Sequence, residues 1–384
     1  MGPLTGLRVV EVAGIGPGPF CAMVLADLGA DVIRVDRVAS VGAAPGGASF
    51  DILGRGRRSV AVDLKSPGGA DVVLRLVDGC DALLEGFRPG VAERLGIGPA
   101  PCLARNPALV YGRMTGWGQD GPLADAAGHD ITYAAVAGAL AHIGRAGQLP
   151  TPPLNLVADF GGGGMLLALG IVAGLLHAQR SGTGQVVDAA MVDGTALLMA
   201  PFFGASAIGF WSDERGTNLL DSGAPFYDVY RCADGLELAV GAIEPQFFAA
   251  LVAVLELNPD AVPPQDDRSR WPELRTMLTT TLARRPRAEW LARAEGRDAC
   301  LAPVLTMAEA ASHPHVAARD TIVTVDGVPQ PAPAPRFSAT PATLGRRPPV
   351  PGEHTDEVLH EAGLSSGEIA QLRADGTVAS WGVD

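Results

Sequence analysis

Along the first third of the chain, short apolar runs alternate with stretches of helical spacing. Residues 7–12 form an apolar run of β type, 19–28 carry apolar side chains at helical spacing, and 29–36 give a turn followed by a second apolar run. This order predicts a βαβ unit. Strand-like runs at 59–63, 81–85 and 108–115 then alternate with helical patterns at 68–77 and 91–95, which implies a parallel sheet. The expected class is α/β, with a Rossmann-like parallel sheet in a large domain.

After Gly128 the pattern turns helical, over 131–143, then 163–180 closed by Ser181 and Gly182, then 191–209. A strand at 236–243 leads into a helix at 245–257, and 271–294 supplies further helices, so a smaller α+β domain is expected here. Pro329, Pro331, Pro333 and Pro335 read as an extended connector, and 357–374 as helical segments broken between Gly363 and Gly367. The expected division is 1–190 as the large domain, 191–225 as a linker, 226–312 as the small domain, and 313–384 returning to the large one.

With 384 residues the chain exceeds the size at which one core keeps growing, in line with two domains. A hydrophobic fraction of 47% excludes a disordered chain. The net charge of −13 argues against a nucleic-acid surface, the longest basic cluster being Arg55, Arg57 and Arg58. Five scattered cysteines without a CxxC pair predict reduced thiols and no metal site. Residues 1–13 lack a basic n-region and read as a strand, so a cytoplasmic protein is expected. The run 160–176 approaches the lower limit of a membrane span, but its Gly-rich start favours a core or interface helix and no membrane partner.

The run Gly14-Ile15-Gly16-Pro17-Gly18-Pro19 follows a strand and opens a helix, with Asp36 closing the next strand, as in dinucleotide-binding folds. Pro19 replaces the third glycine, however, and neither Pro17 nor Pro19 has the N–H that cradles a pyrophosphate. An NAD site is therefore not expected; on spacing alone the run is a tight turn. Coenzyme A would use the same edge differently, with guanidinium planes on the adenine and cations on its phosphates. Arg37, Lys65, Arg88 and Arg94 follow predicted strands there, and Gly16 and Pro17 complete the candidate contacts. Singly, each cation is equally a solvated surface charge.

The segments GPGPFCAMVLADLGADVIRVDR, AVDLKSP, EGFRPGVAERLG, GWGQDGP, AGHDITY, PLNLVADFGGG, GAPFYDVYRCADG and AVGAIEPQF stand in that order between residues 16 and 247. Together they resemble the α-methylacyl-CoA racemases, within the wider family III CoA-transferase superfamily. The resemblance runs from about residue 4 to Gly352–Thr355. It implies a fatty-acyl isomerase of lipid metabolism, an acyl-CoA substrate with no cofactor beyond the CoA it carries, and a homodimer whose subunits interlock like chain links. It also implies His129 and Asp159 as the acid/base pair, Glu244 as the partner of His129, and CoA contacts at Arg37, Lys65 and Arg94. Residues 39–54 are longer and richer in Gly and Ala than that pattern, and Ser222 stands where a second glycine is usual.

Inverting a stereocentre by proton transfer needs two titratable groups flanking one carbon, and a histidine with a buried carboxyl meets that need. His129 and Asp130 precede a helical run, so the Asp130 N–H is expected to point out of a helix start at an enolate oxygen. On spacing alone, Asp159 reads as an N-cap, Glu244 before Pro245 as an acidic helix start, and His129 as a turn residue. Met191, Met199, Phe202, Phe203 and Trp211 form an apolar stretch that suits an acyl chain and equally a core. Two other functions compete. A family III CoA-transferase would use Asp159 as a nucleophile with no histidine base, and a non-catalytic acyl-CoA binder would need neither group.

Overall fold

The computed structural model describes residues 2–42 and 50–382; residues 43–49 of the unusual 39–54 segment lie outside them. The chain divides into two compact units. The first comprises Met1–Ala137, Leu154–Leu198 and Ala317–Asp384, the second Gly138–Pro153 and Met199–Val316.

The first unit is built on six parallel strands, β1 (Arg8–Val12), β2 (Asp31–Asp36), β3 (Arg57–Val62), β4 (Ala82–Glu85), β5 (Val110–Thr115) and β6 (Gln185–Ala190). Their order is 3-2-1-4-5-6, and a short C-terminal strand runs antiparallel along β3. In this arrangement the connections reverse direction between β1 and β4, opening a crevice at the strand C-termini. Val10, Ile33, Val60, Leu83 and Tyr111 are buried in one continuous core over the sheet. Parallel strands covered on both faces read as unbroken apolar runs, which is why they were visible in the sequence. β6 was not: its residues are mostly exposed at the sheet edge, so no apolar run marks it.

Tyr111 is fully buried and its hydroxyl donates to the Ile97 carbonyl at 2.9 Å. The Cys102 thiol also donates to that carbonyl, at 3.2 Å, so the acceptor keeps a partner when the hydroxyl is removed. Tyr111→Phe is expected to cost the first unit about 1 kcal/mol, seen as a lower urea midpoint with an unchanged slope.

Leu156–Ser181 is helical throughout, and by length and composition alone it is long and apolar enough to cross a membrane. One face packs on the sheet: Cβ atoms at Gly112 or Gly174 would stand 2.8 Å from Ile171 or Val110. Met165, Leu169 and Leu176 lie on the exposed face. The helix expected over 131–143 stops at Val136, because Gly138 takes φ +85°. The proline connector is in part a hairpin, Ile322–Val325 with Val328–Pro331.

The second unit is a three-stranded antiparallel sheet, Tyr227–Arg231, Glu237–Gly241 and Leu301–Pro303, covered by helices Pro245–Val254, Trp271–Leu282 and Arg287–Ala294. Phe226 stands edge-on to Phe248 and Trp271 in its core. Residues 138–153, read from sequence as large domain, cluster with this unit. The physical reason is an ion pair without local sequence signal: Arg145 reaches buried Asp228 through two bonds of 3.0 and 2.7 Å. Arg275 pairs with the same carboxylate and donates to the carbonyls of Ser222 and Gly223 at 2.6 and 2.9 Å. Ser222 has φ +71°, which accounts for the glycine preference at such a position.

Candidate active site

The crevice at the β1/β4 switch holds a cleft of about 710 Å³, lined only by the first unit. The turns after β1, β4 and β5 supply its floor through Ala13–Pro19, Gly86–Pro89 and Gly116–Trp117. His129, Tyr133, Asn155, Asp159 and Met191 form the opposite wall.

Asp159 is carried by a π-helical stretch, Leu156–Met165, which continues into the α-helix Leu166–Ser181. Wide π turns are rare and concentrate at functional sites. Glycines make this one possible, since a Cβ at Gly162 would stand 2.7 Å from the Thr195 nitrogen and one at Gly164 would stand 2.8 Å from the Pro17 carbonyl oxygen. Asp159 therefore lies inside the first turn of a long helix. This corrects the N-cap reading: the helical stretch begins at Leu156, seven residues before the start expected at 163, because its glycines permit close packing.

Three contacts hold the Asp159 region. Its Oδ2 lies 3.4 Å from where a Cβ at Gly16 would be, and Gly16 takes φ +70°, so a side chain there would be strained and would press on the carboxylate. Asn155 Nδ2 donates to Asp159 Oδ2 at 3.2 Å. Asp130 Oδ1 accepts the N–H groups of Ala158 and Asp159, each at 2.7 Å. Burial pushes the Asp159 carboxyl above its ordinary range and the Asp130 charge adds to this, against the Asn155 hydrogen bond and His129.

His129 precedes the helix Asp130–Val136 in extended conformation. Its N–H donates to Thr132 Oγ1 at 3.0 Å, and that hydroxyl returns a bond to the His129 carbonyl at 2.7 Å. The Asp130 N–H, at the first position of that helix, has no protein acceptor among the described residues. Tyr133 nests against Gly116 and Gly128, where a Cβ would fall 2.2 and 2.5 Å from its ring, and stands edge-on to Trp117 at 4.8 Å. Burial raises its phenol, Asp159 adds to this, and Arg88 opposes it.

Of the sequence candidates, His129, Asp159, Gly16, Pro17, Arg37 and Arg88 line this one cleft. Lys65, Arg94 and Asp130 do not, Asp130 being buried beside it. Lys65 lies in the turn after β3, its N–H on Asp63 Oδ1 at 3.0 Å, and Arg94 ends the helix Val91–Arg94. Glu244 caps the helix Pro245–Val254 in the second unit. The apolar stretch is divided: Met191 is buried in the first unit, while Trp211 is buried in the second against Phe202 and His142. Asn155, Tyr133 and Trp117 were not singled out from sequence. Asn155 had a signal, its four-residue spacing from Asp159, which is visible only once the helix is known to begin at 156. No group of three or more metal-ligating side chains occurs among the described residues.

Residues 4–355 match the profile of CoA-transferase family III. The chain is 49% identical over 380 residues to the alpha-methylacyl-CoA racemase of Mus musculus, covering 98% of each chain. It is 47% identical over 381 residues to the alpha-methylacyl-CoA racemase of Homo sapiens, again covering 98% of each. A solved CaiB/BaiF family protein from Brucella suis superposes with a TM-score of 0.81 at 26% identity, covering 94% of this chain and 99% of that one.

Proposed function

The chain belongs to CoA-transferase family III, and from that membership we propose that it inverts the α-carbon of 2-methylacyl-CoA thioesters by 1,1-proton transfer through an enolate. The observation that carries this reading is the presence of both His129 and Asp159 in the lining of the switch-point cleft. The 47–49% identity to racemases over nearly the whole chain supports it. Burial and the Asp130 charge raise the Asp159 carboxyl above its ordinary range, the direction that suits a group which delivers a proton as well as accepting one. His129 is the complementary base. Removal of the α-proton by one and its return by the other on the opposite face inverts the centre.

The thioester oxygen gains charge as the enolate forms, and the unpartnered Asp130 N–H is the donor we assign to it. Such a preorganised donor is worth roughly 3 kcal/mol of barrier. Arg37 and Arg88 in the cleft suit the adenine and phosphates of CoA. Lys65 and Arg94 serve as further CoA contacts, and Glu244 of the partner subunit as the group that orients His129, as the family resemblance implies.

We further propose a homodimer of interlocked subunits, supported by the apolar exposed face of Met165, Leu169 and Leu176. Five free cysteines support a cytoplasmic site and the charge of −13 the absence of a nucleic-acid partner, while acyl-CoA as the ligand, with no membrane partner and no cofactor beyond the CoA itself, rests on the family. The test is to incubate one epimer of a 2-methylacyl-CoA in deuterated buffer without an acceptor acid, following α-deuterium and configuration. Deuterium uptake with epimerisation is expected, weakened in Glu244→Gln and in His129→Ala. No uptake, together with CoA transfer once a free carboxylic acid is added, would replace this reading with a transferase that uses Asp159 as nucleophile.

A further inference from the structure

Asp130 is 5% exposed, yet it carries a carboxylate with only one oxygen engaged. Oδ1 accepts the two N–H groups of Ala158 and Asp159, whereas Oδ2 is buried and has no partner. A cap on two backbone N–H groups does not require a charge; an asparagine or serine oxygen performs it equally well. A buried charge with an idle oxygen is costly and needs another reason to be there.

The surroundings of Asp159 supply one. His129 and Asp130 face it from the helix start and Tyr133 from one turn further on. Arg37 and Arg88 line the same cleft, and the Gly14–Pro19 turn and the glycines at 161–164 bring no charge. The helix Met191–Leu198 packs against the same stretch and carries Asp193, but Asp130 is the anion whose charge acts on the Asp159 carboxyl, and it is tied to the Asp159 backbone by its own hydrogen bond. We infer that Asp130 is the positioning residue of Asp159: one oxygen clamps the backbone that aims the carboxyl, and the charge biases that carboxyl to carry the transferred proton. This inference rests on Asp159 acting in proton transfer. Burial and the Asp130 charge work in the same direction on Asp159, and Asp130→Asn removes the second while leaving an amide oxygen for both N–H groups.

The experiment reads the protonation of Asp159 without turnover. A water-soluble carbodiimide with an amine nucleophile labels protonated carboxyls, and peptide mass spectrometry follows the Asp159 adduct from pH 4 to 8 in the full-length protein. In Asp130→Asn the labelling midpoint is expected to fall by at least about 0.5 unit, with the acid limb of the kcat profile moved the same way. If Asp130→Asn fails to fold, Asp130→Ser keeps an oxygen acceptor without the charge and is read identically. A midpoint unchanged in a folded variant overturns the inference. Because the labelling needs no substrate, a shifted midpoint in a protein that exchanges no α-proton overturns the racemase reading alone.

Discussion

Asp159→Asn is expected to lower epimerisation by roughly 10²–10⁴-fold while leaving α-deuterium exchange from one epimer measurable. With two groups on opposite faces, each epimer presents its α-proton to a different one. The asparagine variant cannot remove or return a proton on the Asp159 face. His129 still removes the proton from the epimer that faces it and can return a deuteron only to that same face, so label enters without inversion. His129→Gln is expected to show the mirror result, with exchange confined to the other epimer. A mechanism using a single group on both faces would lose exchange from both epimers in one variant and from neither in the other. That pattern, read by NMR of the α-position against chiral separation of the product acids, would reject the pairing.

The same substitution carries a stability signature of opposite sign. The folded-state value of the Asp159 carboxyl is raised by burial and by Asp130. Between the ordinary aspartate value of 3.8 and the raised one, the native state holds a proton that the unfolded chain has released, so stability falls as pH rises through that window. Above the window the cost is fully present, and an asparagine does not incur it. Asp159→Asn is therefore expected to melt higher than wild type at pH 8, the gap closing as pH falls through that window toward 3.8. A gain in stability at neutral pH coupled to loss of turnover is the expected mark of a group held out of its preferred state for chemistry.

The sheet was legible because its information is local: five of the six parallel strands are apolar runs, and their alternation with helical spacing forces parallel order. β6 escaped because an edge strand need not be apolar on either face. In the site, His129, Asp159, Arg37 and Arg88 were found through motif order and strand ends. The clamp of Asp130 on Asp159 joins residues 29 positions apart by backbone N–H groups, and such a bond leaves no trace in side-chain pattern. The π turn was hidden for a related reason. A glycine run reads as a break when its neighbours are unknown, and as permission for close contact once Pro17 and Thr195 are seen against it. The attachment of 138–153 to the second unit depends on buried Asp228, whose partners Arg145 and Arg275 come from distant segments.

Arg57→Ala is expected to destabilise the first unit by about 3–5 kcal/mol, the range for removing one partner of a buried ion pair. Arg57 at the start of β3 and Glu11 on β1 are both fully buried and reach across the intervening β2, with Nε 2.5 Å from Oε2. Burial pushes the Glu11 carboxyl up, and the Arg57 charge is the strongest influence holding it down. Without that cation, Glu11 either remains as an uncompensated charge or takes up a proton, and both cost stability. Arg57 also donates to the carbonyls of Leu53 and Pro19, so the change removes two further partners. A paired Glu11→Leu, Arg57→Met replacement is expected to recover the ion-pair cost but not the carbonyl bonds, leaving a deficit of about 1–3 kcal/mol. Pro19 lies in the first turn of the helix Pro17–Asp27, directly after the Gly16 turn that supports Asp159. The double variant should therefore refold to most of its stability yet turn over more slowly, with an altered acid limb of the pH profile. Full recovery of both stability and rate would show that the pair serves packing alone and that the turn holds its shape without Arg57.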